Sequence, residues 1–264
     1  MLMPSSRWYS AIMTRRSRRQ FAPKPVDVNI LAHIKRFCDE FRPFQTARAV
    51  LVTETPDKVF KGAIGHYGKI KGAPAFIAFI GNMDDPNIQE KVGYLGEGLI
   101  LEATASGLAT CWVGGFFRPE IASLLAGAGQ NEKVLAVTPV GYAGEDMSLE
   151  DKIMAGFGRN HRRKPLSELV TGLEEIKWPA WMREALDAAR LAPSAVNRQP
   201  WRFHVEQDKI IVLVDNLKDT FNISKRLDCG IAMLHIEVAA LHRDIKGEWE
   251  FLKSPEVARF RFKN

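Results

Sequence analysis

The sequence predicts an α+β fold made of two half-units that repeat one layout. Helical segments with an apolar stripe alternate with continuous apolar segments that suit strands covered on both faces. The order helix, connector, strand and long helix occurs first at 28–41, 42–46, 47–55 and 91–108, and again at 180–192, 193–200, 201–215 and 227–245. With 264 residues and 46% hydrophobic content, the chain can bury the core of one large domain or two small ones.

The first half should form a layered α+β sandwich around one sheet. Its helix at 28–41 places apolar side chains at helical spacing and ends before Pro43. The helix at 91–108 combines small residues with an apolar stripe, which is typical of a helix packed at the centre of a domain. The remaining predicted elements are strands at 47–55, 73–82 and 133–143 and a short helix that begins near Pro119.

The second half should contain two helices and a hairpin. The predicted elements are helices at 180–192 and 227–245 and a hairpin at 201–215 that turns at 207–208. The polar segment 171–179 is the predicted connection, so we place one unit at 1–172 and a truncated second unit at 173–264. The order of elements, more than their weak local identity, indicates an internal duplication.

Composition excludes several classes of protein. No uncharged apolar stretch reaches the roughly 18 residues that span a bilayer, and the best candidate, 98–117, contains Glu102. The three cysteines lack zinc-site spacing and are odd in number for a disulfide framework, and the six histidines have no ligand spacing. We therefore expect a cytoplasmic protein without a metal, and we interpret Cys111 as a buried structural thiol rather than a redox centre.

The net charge of +6 is concentrated in two short segments. Residues 1–26 hold six basic residues and 159–164 hold four, with no acidic residue in either segment. The rest of the chain has 27 basic and 31 acidic residues, a net of −4. This distribution favours a small phosphate or carboxylate site over a surface that follows a nucleic acid. The N-terminal stretch also resembles an organelle transit peptide, but a binding role accounts better for its arginines.

Two segments have the chemistry of a ligand site. The segment "RRSRRQF" at 15–21 groups four arginines around Ser17. Guanidinium groups bind phosphate through paired, charge-assisted hydrogen bonds, although a solvated basic tail is the alternative interpretation. The segment "LAPSAVNRQPW" at 191–201 is rich in turn formers and lies between a predicted helix and a predicted strand. It should form a loop with several free hydrogen-bonding groups.

Four segments together resemble the nitroreductase family of FMN-dependent NAD(P)H oxidoreductases. They are the arginine segment at 15–21, "GLATCWVGGF" at 107–116, "RRKPLSEL" at 162–169 and "APSAVNRQPWRFHV" at 192–205. The last contains Ala-Pro-Ser-x-x-Asn-x-Gln-Pro-Trp, the most specific motif, and the resemblance covers most of the chain. The order differs from that of ordinary members, because this loop lies in the second half and the arginine segment in the first.

In this family two subunits form an intertwined dimer, and each FMN lies at the interface between them. The resemblance therefore implies that this chain is a fused, intramolecular pseudo-dimer with one complete FMN site. It is most similar to the internally duplicated branch called the putative TM nitroreductases. The implied partner is a small-molecule electron acceptor, not a nucleic acid or a membrane. The fused chain should be a monomer or a weak homodimer.

The resemblance also implies roles for particular residues. The arginine segment would hold the phosphate and ribityl chain with the help of a cation near 162–164. The glycine-rich exit would turn a backbone N–H toward flavin N5, the second-half loop would close over the ring, and a lysine would lie near N1 and O2. The residues of the arginine segment are Arg15, Arg16, Ser17 and Arg19, and the cation is Arg163. The exit contributes Gly114 and Gly115, and the lysine is Lys69. The loop contributes Pro193, Ser194, Ala195, Asn197 and Gln199.

The activity implied by the resemblance is hydride transfer from NADH or NADPH through flavin N5 to nitroaromatic or quinone-like acceptors. Reduced flavin carries negative charge near N1 and O2, so a nearby cation stabilises it and no catalytic side chain is required. A flavin-binding storage or sensor protein without turnover is the alternative. A nucleic-acid-binding module is a third hypothesis, and the −4 balance outside the two basic segments argues against it.

Overall fold

A computed structural model describes residues 2–60, 70–144, 162–218 and 222–262. The helices in these ranges are α1 (Ser5–Thr14), α2 (Val28–Glu40), α3 (Pro56–Phe60), α4 (Ile88–Ala105), α5 (Pro119–Leu125), α6 (Leu166–Leu169), α7 (Ala180–Arg190) and α8 (Lys225–His242), with short 3-10 turns at Glu175–Lys177 and Ala195–Asn197. The strands are β1 (Ala47–Val52), β2 (Ala75–Asn82), β3 (Ala109–Thr110), β4 (Glu132–Gly141), β5 (Val170–Gly172), β6 (Trp201–Val205), β7 (Lys209–Val214), β8 (Gly247–Phe251) and β9 (Glu256–Phe262).

The strands form two sheets, and each half of the chain supplies most of one sheet. The first has the order β1-β2-β4-β3 and the second the order β5-β6-β7-β9-β8. Every pair is antiparallel except β5 with β6, which is parallel. The predicted α+β class is confirmed. Strand β5 ends at Gly172, the last residue of the predicted first unit, yet it is an edge strand of the second sheet.

Burial explains why the strongest strand predictions succeed. Strand β2 is buried over seven of its eight residues, as expected for a continuous apolar run between two neighbouring strands. Strand β6 alternates instead, and places Trp201, Phe203 and Val205 in the core. Trp201 is fully buried and therefore serves as a packing residue.

The two long helices cross at the centre of the molecule. Helices α4 and α8 are both 18 residues long. A Cβ atom at Gly93 would overlap the carbonyl oxygen of Leu227, and one at Gly230 would overlap the carbonyl oxygen of Glu90. Gly93 lies three residues after Glu90, and Gly230 lies three residues after Leu227, so the two contacts are equivalent. Reciprocal contacts of this kind are those made by two elements related by a two-fold axis.

The ends of the long helices differ from their predicted positions. Helix α4 begins at Ile88 rather than 91, and α8 begins at Lys225 rather than 227. The hydroxyl of Ser224 accepts a hydrogen bond from the backbone N–H of Arg226 and caps α8. This cap, and not the apolar stripe, determines where the helix starts.

Several elements have no counterpart among the predictions, and the most extensive are α1, β8 and β9. Helix α1 buries Trp8 and packs against α4 and α8. Strands β8 and β9 complete the second sheet, with β9 between β7 and β8. The signal in β9 is the alternation in "EVARFRF", where Ala258, Phe260 and Phe262 are buried. Val257 is also buried, out of phase with them, and obscures this period.

The cysteines and the helices relate to two expectations drawn from composition, the structural role of Cys111 and the lack of a membrane-spanning stretch. All three cysteines are buried and free, which fits the interpretation of Cys111 as a structural thiol. Burial raises the pKa of the Cys38 thiol to about 12. No helix in the described ranges is both long and apolar enough to cross a bilayer.

Candidate functional site

The arginine segment leaves α1 as an extended strand-like stretch against the glycine-rich exit. Ser17 forms a parallel bridge with Thr110, and the backbone N–H of Arg18 donates to the Thr110 carbonyl at 2.8 Å. Further along, the carbonyl of Arg19 accepts from the N–H of Lys71 at 2.9 Å. These backbone bonds fix the arginines beside the segment that follows β3.

The side chains of this segment divide between the interior and the surface. Arg15 is buried, with its Nη1 3.4 Å from Ser17 Oγ and its Nε 3.9 Å from the Glu97 carboxylate. Arg16, Ser17 and Arg18 are exposed. One buried guanidinium with an exposed guanidinium and an exposed hydroxyl beside it can offer several donors to one anion.

Arg163 joins this cluster from a distant part of the chain. Burial, together with the positive charges of Arg15, Arg16 and Arg190, lowers its pKa to about 10. Its Nη1 donates to the Asn197 side chain, and its Nη2 donates to a backbone carbonyl. Three arginines that were predicted as phosphate ligands therefore lie within electrostatic reach of one another, although 147 residues separate Arg16 from Arg163. Like charges held together in this way favour a bound anion.

The loop at 191–200 has an unusual backbone. Val196, Asn197 and Gln199 have φ angles of 51°, 55° and 48°, in the left-handed region that non-glycine residues rarely adopt. Valine is especially unfavourable there because its side chain branches at Cβ. The loop is braced internally, since the N–H of Gln199 donates to Ser194 Oγ at 3.0 Å. Such strain persists only where the surrounding structure imposes it, and it is common at binding sites.

A buried aspartate holds the outer part of the loop. Asp228, in the first turn of α8, accepts from the N–H of Ala195 at 3.2 Å and from Arg198 Nε at 2.7 Å. Arg198 also donates to the carbonyl of Ile223 at 3.0 Å. The sequence reasoning missed Asp228, and its only signal is an acidic residue at the start of a helix otherwise predicted to be packed.

Two amides of the loop hold the segment that carries Arg163. Gln199 is buried; its Oε1 accepts from the N–H of Lys164 at 2.8 Å, and its Nε2 donates to the carbonyl of Arg162 at 2.9 Å. Asn197 Nδ2 donates to the same carbonyl at 3.1 Å. Both side chains thus hold the backbone around Arg163 against the loop. The Arg163 guanidinium and the loop therefore keep a fixed relative position.

The glycine-rich exit lies against the second half of the chain. Val113 exchanges two backbone hydrogen bonds with Val137 of β4, each 2.9 Å long. A Cβ atom at Gly114 would lie 3.4 Å from Ile223, and Gly115 is exposed. The exit therefore presents backbone rather than side chains at the boundary between the halves.

The structure brings most of the predicted residues together. The arginine segment borders the exit, Arg163 joins both the arginines and the loop, and Pro193 is buried where α7 passes into the loop. Lys69, predicted near the flavin pyrimidine, lies outside the described residues. Within the described ranges, no three His, Cys, Asp or Glu side chains converge as a metal site, and the absence of a metal stays a prediction.

Comparison with known proteins gives a family and a fold. The family profile described as "Putative TM nitroreductase" matches residues 7–240. A crystal structure from Thermotoga maritima, described as a putative nitroreductase, superposes with a TM-score of 0.66 at 17% identity and covers 97% of this chain and 94% of its own. No curated protein is similar enough in sequence to count as a relative.

Other solved structures match a part of the chain. A nitroreductase family protein from Clostridium difficile has a TM-score of 0.45 at 21% identity, covering 61% of this chain and 94% of its own. A nitroreductase with bound FMN from Bacteroides fragilis has a TM-score of 0.43 at 18% identity, covering 54% and 91%. The family prediction is confirmed by the profile match over most of the chain. The chain therefore belongs to the putative TM nitroreductase family and has the general role of an oxidoreductase.

Proposed function

We propose that the chain binds FMN and transfers hydride from NADH or NADPH, through flavin N5, to nitroaromatic or quinone-like acceptors. The observation that carries the proposal is the meeting of Arg15, Arg16 and Arg163 beside the 191–200 loop. Family membership supplies the class of reaction, and this cluster supplies a place for the cofactor phosphate.

The donor set fits a flavin phosphate. A phosphate ester carries up to two negative charges, and guanidinium groups bind it through charge-assisted hydrogen bonds. Burial and neighbouring guanidiniums lower the pKa of Arg163, so an anion at this point would relieve an unfavourable interaction. The Thr110 hydroxyl, next to the arginine segment, is buried and has no hydrogen-bond partner among the described residues, so it offers a further polar contact.

The chain's own residues would bind and orient the cofactor rather than take part in bond making. Arg15, Arg16 and Arg163 would hold the phosphate, and the backbone at Gly114 and Gly115 would approach the ring without side-chain obstruction. Bound FMN supplies the hydride-carrying chemistry. The braced loop at 191–200 would cover part of the ring and limit access of water.

We also propose that units 1–172 and 173–264 form an intramolecular pseudo-dimer. The reciprocal contacts of Gly93 and Gly230 support this arrangement. So does strand β5, which belongs to the first unit in sequence and to the second sheet in space. Each feature is expected where two intertwined subunits have become one chain.

In a pseudo-dimer, a second cofactor site would lie at the position equivalent to the first. We propose that side chains fill this position and leave one cofactor site per chain. Counted from the crossing glycines, Lys91 in α4 corresponds to Asp228 in α8. Asp228 holds the 191–200 loop, whereas the Lys91 ammonium lies 5.8 Å and 4.8 Å from the ring centres of Phe44 and Phe251. Phe44 belongs to the connector 42–46. These aromatic side chains would therefore leave no room for a second flavin ring.

The proposed activity has a direct test. The purified protein, reconstituted with FMN, should oxidise NADH or NADPH in the presence of menadione or a nitrofuran. A flavin-loaded protein without turnover would favour a storage or sensor protein instead. A protein that binds no flavin but binds DNA or RNA in a salt-dependent way would overturn the proposal in favour of a nucleic-acid-binding module.

A further inference from the structure

A fully buried carboxylate lies behind the proposed cofactor site. Glu97, in the middle of α4, has no solvent-exposed surface. Its Oε2 accepts from the Trp112 indole at 2.7 Å, and its Oε1 lies 3.0 Å from His235 Nε2. The same oxygen lies 3.9 Å from Arg15 Nε. One carboxylate therefore contacts the arginine segment, the exit and the second half of the chain.

His235 extends this contact to the loop-bearing helix. The ring is fully buried in α8, and its Nδ1 lies 2.8 Å from the carbonyl of Ala188 in α7. The carbonyl oxygen is an acceptor, so Nδ1 donates to it, and Nε2 shares a hydrogen bond with the Glu97 carboxyl group. Ala188 lies three residues before Leu191, where the loop begins. His235 thus joins the loop's supporting helix to Glu97.

We infer that Glu97 and His235 are positioning residues, which set the arginine segment, the exit and the second-half loop relative to one another for cofactor binding. The inference rests on the proposed function. Neither residue would touch the cofactor itself; they would act through Arg15, Trp112 and Ala188.

The energetic cost of the arrangement supports a role beyond stability. Burying ionised groups carries a large desolvation penalty, and apolar side chains of similar volume often give equal or greater stability. An apolar pair would not fix the orientation of the Arg15 guanidinium or the Trp112 indole. The directed hydrogen bond from Trp112 and the ion pair with Arg15 do, so the pair accounts for geometry at the site rather than for stability of the core.

The chain offers a matched control two residues beyond His235 in α8. The Glu237 carboxylate accepts from the Tyr94 hydroxyl at 2.7 Å and from the Trp249 indole at 2.7 Å. Like Glu97, Glu237 has a carboxylate that is shielded from solvent, links α4 to α8 and accepts a hydrogen bond from a tryptophan. Its contacts lie among α4, α8 and β8, away from the arginine segment, the exit and the loop.

The test compares Glu97→Gln and His235→Gln with Glu237→Gln. Thermal unfolding of each apoprotein measures stability, and flavin fluorescence titration at a temperature where all are folded measures FMN affinity. We expect all three variants to lose stability. Only the first two should weaken FMN binding, by about tenfold or more, as expected when charge-assisted contacts that orient ligands are lost. The Glu237→Gln protein should stay within about twofold of the unsubstituted protein.

The possible outcomes separate the inference from the proposed function. Equal FMN affinity in the Glu97→Gln and Glu237→Gln proteins would overturn the positioning role while leaving flavin binding intact. An unsubstituted protein that binds no FMN would instead reject the proposed function, and this inference with it. If Glu97→Gln does not fold, His235→Gln alone decides, since an affinity equal to that of the Glu237→Gln control contradicts the role.

Discussion

At the scale of single residues, the site consists of charges whose partners are far away in the sequence. The arginines at 15–19 could be assigned from their density and from the family resemblance. The residues that support them could not, because Glu97, Asp228 and His235 lie within helices predicted only as packed and apolar. Their one sequence signal is a charged or polar residue inside an apolar stretch. Such a signal indicates that a partner exists but does not identify it.

Replacing Arg163 by Gln should weaken FMN binding by about tenfold or more, because the phosphate loses one charge-assisted donor. The loss should shrink as salt is added, since part of the attraction is screened. Equilibrium titration at two ionic strengths measures both effects. As control, Arg183→Gln removes an exposed arginine of α7 that pairs with Asp187; its FMN affinity should be unchanged. If the two variants bind FMN equally well, Arg163 is not a phosphate ligand.

Glu132 gives a residue-level prediction about acid stability. The Arg48 guanidinium lowers the pKa of this carboxyl to about 2, and the hydrogen bond from Arg48 Nε is 2.8 Å long. A folded-state pKa below the unfolded value stabilises the protein at neutral pH, and this contribution is lost as pH falls from about 5 toward 2. Glu132→Gln should therefore cost about 1 to 2 kcal/mol at pH 7.

Urea unfolding across this pH range measures the effect. The difference in unfolding free energy between Glu132→Gln and the unsubstituted protein should narrow steadily as pH falls from about 5 toward 2, because both proteins carry a neutral side chain at this position once Glu132 is protonated. A difference that stays constant with pH would show that packing, and not the ion pair with Arg48, is responsible.

At the scale of elements, prediction succeeded where one period dominates. The buried strand β2 and the amphipathic helices α2 and α7 lie within a few residues of their predicted positions. Strand β9 was missed because its alternation is interrupted at Val257, which is buried out of phase with Phe260 and Phe262, and α1 because its apolar side is short. Strand β9 pairs with β7 and β8, and α1 packs against α4 and α8, and a local pattern does not contain these partners.

The crossing of α4 and α8 predicts two equivalent glycine variants. In Gly93→Ala and in Gly230→Ala the new methyl group meets a backbone carbonyl, which cannot move aside as a side chain can. Each change should destabilise the protein by about 2 kcal/mol or more, despite the better helix propensity of alanine. Chemical denaturation measures the loss. A large loss for one variant and none for the other would contradict the reciprocal crossing.

At the scale of the whole molecule, the order of the motifs carried the most information. The arginine segment and the Pro-Ser-x-x-Asn-x-Gln-Pro-Trp loop occur once each, in opposite halves. The structure brings them together through Arg163 and Asn197. The sequence could not indicate that β5 would join the second sheet. A three-residue strand is too short to show a pattern of its own, and its position depends on pairing with β6. Nor could it indicate that Phe44 and Phe251 would both lie beside Lys91.

The number of FMN molecules bound per chain tests most directly whether the two halves together form one cofactor site. Apoprotein of known concentration is titrated with FMN while flavin absorbance or fluorescence is followed, and the mass of the complex in solution gives the number of chains. Saturation at about one FMN per chain is the predicted result, because the cation cluster and the loop together form one site. Saturation at two per chain, or no binding at all, would contradict it.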